Sequence, residues 1–196
     1  MTNQRKPDYR IHEMFLNRWS PRAFTVEPIT QEELLTMLEA ARWAASSYNS
    51  QPWRFIYALR DTPAWERLLN LLVLFNQSWA KESSALVFLV SKSTMRSPRS
   101  GNEVPSPTHS FDAGTASGYF ALQASLMGWY VHGMVGFDAD RAFEDLSVPK
   151  GHKVEAVYAV GRKADPAGLP EELRARDLPS DRRSLEELAF EGGFPQ

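Results

Sequence analysis

The chain has 196 residues, 43% of them hydrophobic, enough for one globular domain with its own core and cramped for a two-domain enzyme. Twenty-two basic against 24 acidic side chains leave a formal charge of −2, so no overall field draws nucleic acid or an anionic membrane surface, and any anion has to be held locally. The absence of cysteine removes disulfides, thiolate nucleophiles and sulfur ligands and fits a reducing compartment.

The opening residues 1–10 are polar and carry no apolar signal core, which points to a cytoplasmic protein. Thr30-Gln31-Glu32-Glu33 is a capping box flanked by Ile29 and Leu34 as a staple, so a helix is expected to begin here. Leu34, Met37, Leu38, Ala41 and Ala45 follow at helical spacing and carry that helix to about Ser46. The polar stretch Ser46 to Pro52 reads as a loop, since Pro52 disfavours helical geometry at Gln51. Phe55 to Leu59, Ala85 to Val90 and Val154 to Val160 are short apolar or β-branched runs of the kind that form buried strands. A helix through Trp65, Leu68, Leu69 and Leu72 is predicted between the first two.

Ser93 to Ser110 is rich in Ser and Pro without periodicity and reads as a long loop or lid. Phe111 to Tyr130 is predicted as a central helix whose small residues Ala113, Ala116, Ser117, Ala121 and Ala124 allow close approach of another backbone or a flat ligand. The longer apolar-leaning segment Ala113 to Val135 is interrupted by Thr115, Ser117, Gln123, Ser125 and His132, which suits a buried helix better than a membrane span. Beyond Gly161 the chain is polar, with Leu169, Leu173, Leu178, Leu185, Leu188, Phe190 and Phe194 spaced through it as anchors for another surface.

There is no G-x-G-x-x-G, P-loop, G-x-S-x-G or paired-histidine zinc motif. His12, His109, His132 and His152 are far apart in sequence with no obvious acidic companion, so no metal site is expected.

Four segments together resemble the nitroreductase family of flavin enzymes. They are Arg18-Trp19-Ser20-Pro21-Arg22, Ser46-Ser47-Tyr48-Asn49-Ser50-Gln51-Pro52-Trp53, Phe75-Asn76-Gln77, and His132-Gly133-Met134-Val135-Gly136-Phe137-Asp138. The resemblance spans about residues 10 to 190. Many relatives have Pro where this chain has Ala45, and Glu or Gly where it has Val135.

The resemblance implies an α+β nitroreductase-like fold: a central, mainly antiparallel sheet flanked by helices, in an intertwined homodimer. Residues 1–196 would form one domain whose C-terminal extension, from about 163, packs on the partner subunit. FMN would be the cofactor, NADPH or NADH the electron donor, and a small nitroaromatic, quinone or enone the acceptor.

FMN presents a phosphate of roughly two charges, a ribityl chain and a flat ring with a polar edge. Arg18 and Arg183, with Arg182 as a further candidate, would grip the phosphate through charge-assisted forks, and Ser20 would add a hydroxyl. Ser46, Ser47 and Asn49 offer short polar groups to the ribityl chain and ring edge. Asn76 would face the ring edge, Val135 and Gly136 would run beside the ring, and Arg22 would stabilise charge near N1 and C2 when the ring is reduced. No side chain need act as acid or base, so no catalytic residue is assigned. Trp79 and Phe111 are candidates for shaping the acceptor face. Two alternatives stand beside this reading: a flavin-dependent dehydrogenase or dehalogenase-like enzyme, and an FMN storage or sensing protein without turnover.

Overall fold

The apolar run at Ala85 becomes the strand that organises the molecule. The computed structural model describes residues 5–195. Its strands are β1 (Trp53–Leu59), β2 (Ala85–Lys92), β3 (Thr94–Arg96), β4 (Glu103–Pro105), β5 (Tyr130–Met134) and β6 (His152–Gly161). Its α-helices are α1 (Glu13–Asn17), α2 (Gln31–Arg42), α3 (Trp65–Leu69), α4 (Leu74–Ala80), α5 (His109–Leu126), α6 (Ala139–Asp145) and α7 (Glu171–Arg174). The main sheet runs in the order β1-β2-β6-β5, and each neighbouring pair is antiparallel.

β2 shows no polar alternation because both of its faces are covered. Ala85, Val87 and Leu89 join the cluster built with α2 and α5, whereas Leu86 and Phe88 join the cluster built with α3, α4, α6 and α7. The result is an antiparallel sheet between two helical layers, the expected α+β architecture.

The capping box starts α2 as expected: Thr30 Oγ1 accepts the Glu33 amide at 3.1 Å, and Glu33 Oε2 accepts the Thr30 amide at 2.9 Å. Ile29 and Leu34 are both buried in the same cluster. The helix stops at Arg42, short of the Ser46 boundary, because Trp43 and Ala44 bond back to Ala40 and Ala41 in tighter turns.

Four expectations need correction. The helix through Leu72 ends at Leu69, since Leu72 leaves the helix to bridge Phe137, and a separate helix, α4, follows. The segment 93–110 is ordered as a hairpin of β3 on β4, with Lys92 paired to Glu103, and it runs straight into α5. The central helix ends at Leu126, and Tyr130 onward is edge strand β5, because Gly128 adopts φ 76° and turns the chain out of the helix. Finally, the C-terminal stretch does not lie wholly on a foreign surface. Leu173 is 2% exposed in the chain's own core with Leu169 beside it, whereas Leu178, Leu185, Leu188, Phe190 and Phe194 remain exposed.

Candidate functional site

The turn after α1 carries the first predicted segment and is fastened from two directions. Asp177, which is buried just beyond α7, accepts the Arg22 amide at 2.6 Å and the Ala23 amide at 3.3 Å. From β5, His132 Nδ1 donates to the Pro21 carbonyl at 3.0 Å, and the imidazole also reaches the Ser20 backbone. Phe24 then bridges Lys163, extending the β6 edge. The side chains of Arg18, Ser20 and Arg22 therefore project from a backbone held by residues more than a hundred positions away.

Arg18 Nη1 lies 3.4 Å from Ser20 Oγ, its donor contact within the turn. Burial lowers the Arg18 pKa and the charge of Arg182 lowers it further, so two like charges from opposite ends of the sequence share one corner. Arg5 lies there as well, lowered by burial, Arg182 and Arg18, with Asp181 the opposing carboxylate. Of the adjacent pair Arg182 and Arg183, it is Arg182 that joins this corner. Arg183 makes no hydrogen bond or ion pair among the described residues.

Arg22 is half-buried, and its guanidinium carbon lies 5.9 Å from the Trp79 ring centroid. Its Nε is buried without a hydrogen-bond partner among the described residues. Burial and then Arg176 lower its pKa, with Asp177 opposing. Trp79 is 1% exposed, so it is a core support under Arg22 and His132 and does not line an acceptor face. Phe111 is fully on the surface at 77% exposed.

Asn76 and Gly136 meet directly. The backbone of 71–73 bonds to 136–138, with Val73 N to Gly136 O at 3.1 Å and Asp138 N to Leu71 O at 2.8 Å. This brings Asn76 Nδ2 to the Gly136 carbonyl at 2.9 Å. A Cβ at Gly136 would stand 2.5 Å from that same Nδ2, so a larger residue there would have to displace the Asn76 amide. Val135 beside it points outward, 81% exposed.

Ser46, Ser47 and Asn49 occupy a different place. They form a tight 3₁₀ turn in which Tyr48, Asn49 and Gln51 all have positive φ (50°, 53° and 47°), a costly backbone for non-glycine residues. Asp112, in the first turn of α5, accepts the Ser47 amide at 3.2 Å and the Thr108 hydroxyl at 3.0 Å. The Arg18 corner instead lies near the other end of α5, where Trp19 packs edge-on against Tyr130 at 6.3 Å. At 1.5 Å per residue, Asp112 and Leu126 are separated by about 20 Å. No hydrogen bond, ion pair or ring contact joins the two groups among the described residues.

A further polar cluster lies where β2 and β6 meet α5. Glu155 Oε1 accepts the Ser91 and Ser110 hydroxyls, both at 2.6 Å, and Lys153 pairs with the same carboxylate at 2.7 Å. Burial alone would raise the Glu155 pKa, but these partners together outweigh it and the net shift is downward. His109 lies 3.6 Å from Glu155, the acidic companion that spacing in the sequence did not reveal. Among the described residues no group of His, Asp and Glu is arranged to hold a metal ion. No helix among them is long and apolar enough to cross a membrane.

The chain is thus an antiparallel α+β scaffold with a basic corner at one end of its longest helix and a polar loop of positive-φ residues at the other. Residues 16–73 match the Nitroreductase family. A solved structure of an oxidoreductase containing FMN is 47% identical with a TM-score of 0.95, over 100% of this chain and 98% of that one. A nitroreductase family protein of Clostridium difficile 630 shares the fold at 18% identity and a TM-score of 0.70, over 95% of this chain and 100% of that one. The major NAD(P)H-flavin oxidoreductase of Aliivibrio fischeri is 35% identical over 86 residues, which is 42% of this chain and 38% of that protein. The chain spans between 27% and 55% of the lengths of three curated relatives it matches. It belongs to the nitroreductase family.

Asp177, His132 and Arg5 were not singled out as site residues from the sequence. Asp177 and Arg5 carry no motif, and the sequence weighs His132 only as a metal ligand, as a polar break in residues 113–135 and as part of a family segment. Each acts through backbone contacts that no local pattern announces.

Proposed function

We propose that this protein is an FMN-dependent oxidoreductase that works as a homodimer and passes electrons from NADPH or NADH to a small acceptor such as a nitroaromatic, quinone or enone. The observation that carries this reading is the convergence of Arg18 and Arg182, whose backbone segments Arg5 ties together through the Arg18 and Ser180 carbonyls at 2.9 and 2.8 Å, so that like charges from opposite ends of the sequence share one corner. Such an arrangement is unfavourable alone and becomes favourable around a phosphate monoester of roughly two negative charges. The unpartnered buried Nε of Arg22 and the exposed Val135 fit a ring placed along the same edge.

FMN, when bound, supplies the hydride chemistry itself. Arg18, Arg182 and the Ser20 hydroxyl bind and orient the phosphate. Arg22, supported by Trp79 and with its backbone fixed by Asp177, presents a preorganised positive charge that favours the more negative state of whatever lies against it. Asn76, locked by its bond to Gly136, sets the polar edge of the pocket.

Ser46, Ser47 and Asn49 are too far from this corner to serve the same ligand within one chain, and a two-fold partner would bring its own copy of that loop to the corner. The outward face of α5 supports this arrangement. Phe111, Tyr119 and Leu126 are exposed on it, and Gly114 and Gly118 lie among them, each with no atom within 4 Å of the point a Cβ would occupy.

The test is an absorption spectrum of the purified protein followed by anaerobic addition of NADPH or NADH, then of an acceptor. A flavin spectrum that bleaches with the nicotinamide and recovers with the acceptor is expected. A colourless protein that does not take up added FMN ends the proposal, and a yellow protein that neither nicotinamide bleaches leaves binding without turnover.

A further inference from the structure

The segment ahead of α1 is tied to the far end of the chain. Arg5 Nε donates to the Ser180 carbonyl at 2.8 Å, while its Nη1 donates to the carbonyls of Leu16 and Arg18, each at 2.9 Å. Three residues later, Asp8 Oδ2 accepts the Leu185 amide at 2.6 Å. These contacts bracket the stretch that carries Arg182, one before it and one after it.

Holding the arm at Ser180 and Leu185 keeps Arg182 near Arg18. The two guanidinium groups repel, and the arm that carries Arg182 lies on the surface, where it would otherwise swing away. A guanidinium can serve three carbonyls at once because its donors form a rigid fork, which an ammonium on a flexible stem does not reproduce. Arg5 joins the end of α1, the backbone of Arg18 and the arm through that fork, and Asp8 closes the other side.

Resting on the phosphate role proposed for Arg18 and Arg182, we propose that residues 5–8 form a positioning clasp: Arg5 and Asp8 hold the C-terminal arm so that Arg182 and Arg18 converge on the phosphate of the bound flavin nucleotide. Arg5 acts through Arg18 and the arm, and its contribution is specific to the phosphate end of the ligand.

The full-length chain, freed of flavin, is titrated with FMN and with riboflavin, which lacks the phosphate, as wild type and as Arg5→Gln, Arg5→Lys and Asp8→Ala. Each variant is expected to weaken FMN by at least about tenfold while riboflavin affinity stays within about twofold. Arg5→Lys is expected to behave like Arg5→Gln, because the fork matters and not the charge alone. Equal weakening of both flavins would reduce the clasp to general stability and overturn it. So would full FMN affinity in Arg5→Lys together with an unaffected Asp8→Ala. A wild-type protein that does not prefer FMN to riboflavin would instead remove the phosphate reading on which the clasp rests.

Discussion

Arg22 shows how a single side chain is prepared before any ligand arrives. Its amide is fixed by Asp177, its guanidinium lies over Trp79, and its Nε has no protein partner among the described residues. Removing a preorganised charge from a site of developing negative charge costs on the order of 2 to 4 kcal/mol. Arg22→Ala is therefore expected to lower the flavin midpoint potential and slow single-turnover reduction by the nicotinamide by roughly thirty- to a thousandfold. FMN occupancy should fall less than in Arg18→Ala. A variant with wild-type potential and reduction rate would leave Arg22 a structural cation packed on Trp79, with no part in tuning the flavin.

At the scale of elements, the turn 18–24 depends on β5 through His132. Burial holds this imidazole below the usual histidine range, and the nearby Arg22 charge adds to the effect, with Asp177 opposing. The unfolded chain takes up a proton below about pH 6.5 that the folded one refuses, so stability is fully present above that pH and declines as pH falls toward the lower folded pKa. Denaturation of wild type and His132→Gln at pH 8 and pH 5 should show the wild type's advantage shrinking in acid. A constant advantage would mean that folding leaves the imidazole's pKa unchanged, and a growing one that the buried ring is charged. Elements with local signatures were legible in the sequence: the Thr30–Glu33 box placed α2, and the continuous apolar run placed β2. β5 was missed because its residues continue the apolar pattern of α5, although Gly128 carried the stop signal. The hairpin at 94–105 was missed because its strands are only three residues each. The site was legible where it lay in contiguous motifs. Asp177, Arg5 and the separation of the 46–51 loop from Arg18 arise from tertiary contacts, which no window of sequence contains.

The whole molecule presents an unpaired helical face that argues for a partner. Glycine inside a helix costs about 1 kcal/mol relative to alanine, and nothing among the described residues crowds Gly114 or Gly118. A second α5 passing closely is the simplest reason to keep them. Gly118→Leu should leave the isolated fold intact while sedimentation shows dimer giving way to monomer, and FMN binding should fall with it. A variant that remains fully dimeric would place the interface elsewhere. The sheet has one more consequence, for the order of assembly. Its two central strands are β2 and β6, with residues 85–92 paired to residues 152–161 across most of the chain's second half. Ordering so long a loop before the pairing bonds form is entropically slow. A nascent chain can close α2 and the β1–β2 pair early, yet β2 keeps one open edge until β6 leaves the ribosome, so completion of the sheet is a late step of synthesis.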